Sequence, residues 1–64
     1  MTSQLKVFRK EIKLTQQEMA VNLDVSLSMY EKVERGYVKA PRGFMDSFKT
    51  RYPYIDINYI FFNN

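Results

Sequence analysis

Two short stretches with apolar residues at helical spacing follow one another closely, and each begins with a residue that can cap a helix. Thr15 and Glu18 open the first as a capping box, because the hydroxyl can accept from the Glu18 amide while the carboxylate reaches back. Ser26 opens the second. Helices are therefore predicted over residues 16–23 and 27–35, and the chain has to turn sharply in the short segment between them.

The remaining pattern predicts three more helices. Helical apolar spacing runs over residues 3–13. Gly36 ends the second capped helix with left-handed geometry, and Pro53 stops a fourth helix over residues 42–52. Asp56 caps a short last helix. Five helices without a convincing strand predict an all-α fold, a compact five-helix domain.

Length and composition narrow the possible functions. The 64 residues make one domain at most, so residues 1–64 are interpreted as a single domain. The chain has no cysteine and no histidine, which excludes disulfides, thiolate zinc sites and the commonest general bases. We therefore expect neither an enzyme nor a bound metal or cofactor.

Positive charge flanks the two capped helices. Ten Lys and Arg residues outnumber seven Asp and Glu residues, which gives a net charge of +3. The excess lies in residues 1–13 and 37–64, whereas residues 14–36 are mildly acidic. This distribution suits a polyanionic partner. No apolar run approaches the roughly 18 residues that span a membrane, and the N-terminus lacks a signal-peptide core, so we expect a cytoplasmic protein without a membrane partner.

Two capped helices joined by a tight break form the core of a helix-turn-helix, here about residues 15–35. Ala20 allows the two helix backbones to approach closely, and Val25 fills the corner between them. The second helix is then expected to project from the body of the molecule. The major groove of double-stranded DNA is wide enough for one α-helix.

These residues resemble the Cro/repressor-type (lambda repressor-like) helix-turn-helix family, which includes phage Cro proteins and repressors. The similar stretches are residues 14–20, 23–26, 30–36 and 56–60, which together extend over nearly the whole chain. The resemblance implies a sequence-specific DNA-binding transcriptional regulator that binds a double-stranded operator. Asp24 departs from the family, which usually has glycine there, and Tyr30 replaces a branched aliphatic residue. We expect about 1 kcal/mol of strain at Asp24 and no change of fold.

The resemblance also implies which side chains meet DNA. Gln16 matches a phosphate-contacting position, with an ordinary surface glutamine as the alternative. Leu27, Ser28 and Lys32 are expected to read bases from the outer side of the second helix, and Ser26 stands at its cap. Lys32 can donate to guanine and Leu27 can pack on a thymine methyl group. The alternative places Leu27 in the core and leaves Lys32 merely solvated.

Arg35, Lys39 and Arg42 follow the second helix, where the family contacts phosphates. The alternative is a solvated charged loop. Tyr37 either bonds a phosphate or packs on the body, and Met29 either borders the core or faces DNA; the sequence decides neither.

Arg9 and Glu34 match positions that the family pairs in a partly buried salt bridge. The bridge joins the first helix to the second capped helix, which is the recognition helix of the family. We expect both to be structural residues that do not bind DNA. Removing one partner should be costly, because it leaves the other charge unpaired.

The end of the chain is strongly apolar. Ile57 and Ile60 are expected to fold back onto the core, whereas an exposed Phe61 or Phe62 would mark a homodimer contact. A homodimer, formed either in solution or only on DNA, would present two recognition helices about one DNA turn apart.

The leading hypothesis is therefore a Cro-like repressor of a phage or mobile element, without a small-molecule ligand. The alternative is a protein-interaction module, such as an antitoxin-like partner protein that uses its apolar C-terminus. The operator sequence, the oligomeric state in solution and the choice between repression and activation stay open.

Overall fold

The computed structural model describes residues 3–62, and in that range it contains five α-helices and no strand. In chain order they are α1 Gln4–Glu11, α2 Gln16–Asn22, α3 Leu27–Glu34, α4 Arg42–Arg51 and α5 Ile57–Phe61. The prediction of an all-α, five-helix fold is confirmed. The single-domain interpretation also takes in residues 1, 2, 63 and 64, which lie outside the described residues.

The helix ends follow the predicted signals closely. The capping box of α2 is complete: the Glu18 amide donates to the Thr15 hydroxyl at 3.1 Å, and the Thr15 amide donates to the Glu18 carboxylate at 2.8 Å. Ser26 caps α3 by accepting from the Met29 amide at 3.1 Å. α1 ends two residues earlier than predicted, before Lys13, whose φ of 60° does not fit an α-helix.

A tight turn joins α2 to α3, which follow one another with only residues 23–26 between them. Asp24 has a φ of 56°, so the residue that replaces the expected glycine does adopt the left-handed conformation. The Val25 amide donates to the Ala20 carbonyl at 3.0 Å, and Val25 packs against the core. Ala20 is only 1% exposed, as expected where its small side chain lets α2 pack on α3.

Aromatic side chains form the centre of the core. The ring of Phe48 lies 5.5 Å from that of Phe8, 5.2 Å from Tyr52 and 5.4 Å from Phe61, measured between centroids. Phe61 comes from α5, so the last helix folds back onto the body, and Ile60 beside it is also buried. The remaining buried apolar residues are Leu5, Met19, Ala20, Leu23, Tyr30, Val33 and Phe44.

Candidate nucleic-acid interface

Helix α3 has one buried side and one side open to solvent. Tyr30 and Val33 face the core, with Tyr30 completely buried. Ser28 and Lys32 are exposed on the outer side. Two of the residues predicted to read bases are thus open to solvent, because a helix that buries one side turns its opposite side outward.

The two apolar residues at the start of α3 are placed differently from each other. Leu27 is half-buried, so it is less open than the sequence predicts for a base-contacting side chain. Met29, which the sequence left open, is also half-buried and packs against the core. Ser26 is exposed, although its hydroxyl is already the acceptor for the Met29 amide.

The segment that follows α3 carries exposed cationic and aromatic side chains. Arg35, Lys39 and Arg42 are all exposed. Arg42 lies 3.8 Å from the Asp46 carboxylate, but both side chains are so open to water that this pair contributes little. Tyr37 is 74% exposed and therefore does not pack on the body, which answers one question that the sequence left open.

Next to these residues, an open groove extends the basic surface onto α1. Its lining includes Lys6 and Lys10 of α1 together with Arg35 and Lys39. The sequence prediction of DNA contacts did not include either α1 lysine, because helical spacing shows only that they face away from the core and not which surface they share. The groove puts them on the same side of the molecule as the segment after α3.

Arg9 and Glu34 form a buried ion pair between α1 and α3. The Arg9 Nε atom lies 2.9 Å from one oxygen of Glu34, and Nη2 lies 3.2 Å from the other. Arg9 is 8% and Glu34 5% exposed. Arg9 also donates through Nη1 to the Leu14 carbonyl at 2.9 Å, which connects the pair to the start of α2.

Two further donors complete the surroundings of Glu34. The Gln16 amide nitrogen donates to Glu34 Oε1 at 3.1 Å, and the Tyr30 hydroxyl donates to Oε2 at 2.5 Å. Gln16 is consequently half-buried, and part of its donor capacity is used inside the protein. Sequence reasoning missed both bonds. The only sign of the second was that a tyrosine stands where the family often has an aliphatic residue.

This hydrogen bonding controls the ionisation of the buried groups. Burial by itself would raise the pKa of Glu34, but hydrogen bonds from Arg9, Tyr30 and Gln16 outweigh that effect and hold the pKa below its ordinary value. The hydrogen bond to Glu34 raises the pKa of Arg9. Burial first, and then the hydrogen bond to Glu34, raises the pKa of the Tyr30 hydroxyl. The site therefore holds one positive and one negative charge that cancel each other.

Within residues 3–62 there is no group of three or more acidic side chains placed to hold a metal ion. None of the helices described is long and apolar enough to cross a membrane.

A compact set of helices, with a tightly turned α2–α3 pair and an exposed side on α3 flanked by cations, defines a helix-turn-helix protein. The comparison with family models agrees, since the helix-turn-helix model matches residues 5–44. The chain belongs to this family, whose members are DNA-binding transcriptional regulators. Neither the curated proteins nor the solved structures gave a match to the chain.

Proposed function

We propose that this chain is a sequence-specific repressor, similar to the Cro proteins of phages and mobile elements, that binds a double-stranded operator through α3. The observation that carries the proposal is the exposed side of α3. Ser28 and Lys32 stand open on it, whereas Tyr30 and Val33 hold the opposite side in the core. In this proposal residues 1–64 act as one domain, and the protein works in the cytoplasm.

Different residues have different tasks in this proposal. Lys32 and Ser28 hydrogen-bond base edges, and the half-buried Leu27 offers its remaining surface to a thymine methyl group. Ser26 orients the start of α3 as its cap. Phosphate contacts fix the protein on the duplex without reading sequence, and they come from Gln16, Arg35, Lys39 and Arg42.

The exposure of Tyr37 adds one residue to the phosphate contacts. Its hydroxyl can donate to a phosphate oxygen, and its ring is not engaged with the body. The amide of Tyr37 donates to the Lys32 carbonyl at 2.9 Å, so the backbone is anchored directly beside the recognition helix. A contact from Tyr37 would therefore lie next to those of Arg35 and Lys39.

Selection of duplexes from a random pool, followed by anisotropy titrations at two salt concentrations, tests the proposal. Lys32→Ala should reduce the free-energy difference between the preferred base and the other bases by about 1–3 kcal/mol at one position of the selected site. Lys39→Ala should weaken binding to all sequences alike. It should also reduce the slope of log K against log salt concentration by about one.

Lys49→Ala is the matched control for Lys39→Ala, because it removes the same charge from an exposed position near the far end of α4. It should leave the salt dependence nearly unchanged. If no duplex is enriched by the wild-type chain, the repressor proposal fails. If duplexes are enriched but Lys32→Ala leaves base choice untouched, Lys32 does not read a base.

Dimer formation is part of the proposal and is supported by the end of α5. Phe62 is 59% exposed and Tyr59 is 52% exposed, whereas Phe61 packs into the core. A second copy that covers these rings would bring two α3 helices to one operator. Analytical ultracentrifugation with and without a duplex tests this, and Phe62→Ser should weaken the dimer without altering the melting temperature of the monomer.

The same exposed rings favour a second candidate function, a protein-interaction module of the antitoxin type. In that case a partner protein, not a second copy, would cover Tyr59 and Phe62. The titrations separate the two functions, because a module that only binds protein would show no sequence preference among duplexes.

A further inference from the structure

The carboxylate of Glu34 accepts four hydrogen bonds inside the protein. Arg9 gives one bond to each oxygen, Tyr30 gives a second bond to Oε2, and Gln16 gives a second bond to Oε1. An ionised carboxylate has about four lone-pair positions, so its capacity is filled. The donors come from three helices, α1, α2 and α3.

These bonds determine how the Gln16 side chain is oriented. A carboxylate can only accept, so the atom that faces Glu34 must be the amide nitrogen and not the amide oxygen. One N–H of that nitrogen is used by Glu34, and the other is left for a partner. A phosphate also only accepts, so this second N–H is the group of the Gln16 side chain that can bind the DNA backbone.

Tyr30 decides which position of Glu34 is left for Gln16. The hydroxyl shares Oε2 with Arg9 Nε, and it therefore fills the position on that oxygen that Arg9 leaves open. Oε1 then has one position free of Arg9, and Gln16 occupies it. Without the hydroxyl, that position on Oε2 would be open to the Gln16 amide, which would then have two places to bond instead of one.

We infer that Tyr30 is a positioning residue for DNA binding: through Glu34 it holds the Gln16 amide in the orientation that donates to a phosphate. Tyr30 is completely buried and touches no ligand itself. The inference rests on the proposed function, because it assumes that Gln16 contacts the DNA backbone.

A double-mutant cycle tests the inference, with the duplex that the wild-type chain selects from a random pool as the probe. Tyr30→Phe removes only the hydroxyl and should weaken binding about threefold to tenfold, the equivalent of one modest hydrogen bond. In a Gln16→Ala background the same change should have almost no further effect, because no amide is left to orient.

Tyr52→Phe is the matched control. Its hydroxyl is also buried and hydrogen-bonded, to Asn22 and Met19, but it has no bond to Glu34. It should therefore cost stability without changing DNA affinity. All titrations are made well below the melting temperatures, where each variant is fully folded, so that a purely structural role of Tyr30 would leave the affinity unmoved.

The side-chain amide resonances of Gln16 supply a second readout that needs no DNA. In the wild-type chain one amide proton should be shifted downfield and slow to exchange, and Tyr30→Phe should move it toward free-glutamine values. Unaltered resonances in Tyr30→Phe, or an equal loss of affinity in both backgrounds of the cycle, would overturn the inference while the repressor proposal stands. Failure to select any duplex would remove both.

Discussion

Replacing Glu34 with glutamine is the sharpest test of the buried ion pair. Glu34→Gln keeps the size of the side chain and removes its charge. Arg9 then keeps its positive charge at a site where it is only 8% exposed. Removing one partner of a buried pair costs about 3–5 kcal/mol, and the low end applies here because a glutamine oxygen can still accept from Arg9. We expect a loss of about 3 kcal/mol.

A loss of this size is large for so small a chain. A domain of this length has a total stability of about 3–10 kcal/mol, and each kcal/mol corresponds to roughly 4–8 °C in Tm. Glu34→Gln should therefore lower Tm by roughly 10–25 °C at neutral pH. Thermal unfolding followed by circular dichroism measures this, with Glu11→Gln, the same change at an exposed carboxylate, as the control.

The effect of Glu34→Gln on stability should depend on pH in one direction. Because the pKa of Glu34 is lower in the folded chain than its ordinary value of 4.5, its stabilisation is present above that value and is lost as the pH falls through the folded-state pKa. The gap in stability between wild type and Glu34→Gln should therefore be widest near neutral pH and close in acid. If Glu34→Gln has the same Tm as the wild type at every pH, the assignment of a buried, stabilising pair is refuted.

Four other substitutions are expected to alter stability in definite directions. Asp24→Gly should stabilise the fold by about 1 kcal/mol in denaturant titrations, because a φ of 56° suits glycine. Lys13→Gly should have the same effect, since Lys13 has a φ of 60°. A loss of stability in both variants would argue against strain in the left-handed conformation. Thr15→Ala should cost about 1 kcal/mol by opening the capping box, and an unchanged midpoint would mean that the box does not stabilise α2. The wild-type chain should lose stability as the pH rises above 10, since unfolding frees Tyr30 to ionise, whereas Tyr30→Phe should give a flatter alkaline profile in thermal melts.

The helices were predictable because their signals are local. Thr15 with Glu18, Ser26 and Asp56 each satisfy amides a few residues away, and all of these caps are formed. Strain at Asp24 was expected from the family resemblance, because the family usually has glycine there, and the φ of 56° agrees. The early end of α1 was not predicted, because a lysine carries no sign that its backbone will turn left-handed.

The details of the interface depend on contacts that are distant in sequence, and these were less predictable. Spacing along α3 correctly separates Ser28 and Lys32 from the buried Tyr30. It does not show that Gln16 will bond to Glu34, eighteen positions later in the chain, because that contact depends on how α2 packs against α3. The half-buried state of Leu27 has the same origin, since periodicity places a side chain on a face but does not say how far a neighbour covers it.

The polar network also explains how such short helices hold a defined reading surface. α2 has seven residues and α3 has eight, and isolated helices below about 12–15 residues are marginal in water, so their relative position must come from tertiary contacts. The network supplies such contacts at one end of the pair, because Arg9 and Glu34 tie α1 to α3 while Gln16 and the Leu14 carbonyl bring in the start of α2. The network carries no net charge, because the charges of Arg9 and Glu34 cancel. The positive potential that would attract DNA is therefore left to the exposed lysines and arginines around α3, and a variant that alters the network should change the geometry of binding more than its long-range electrostatics.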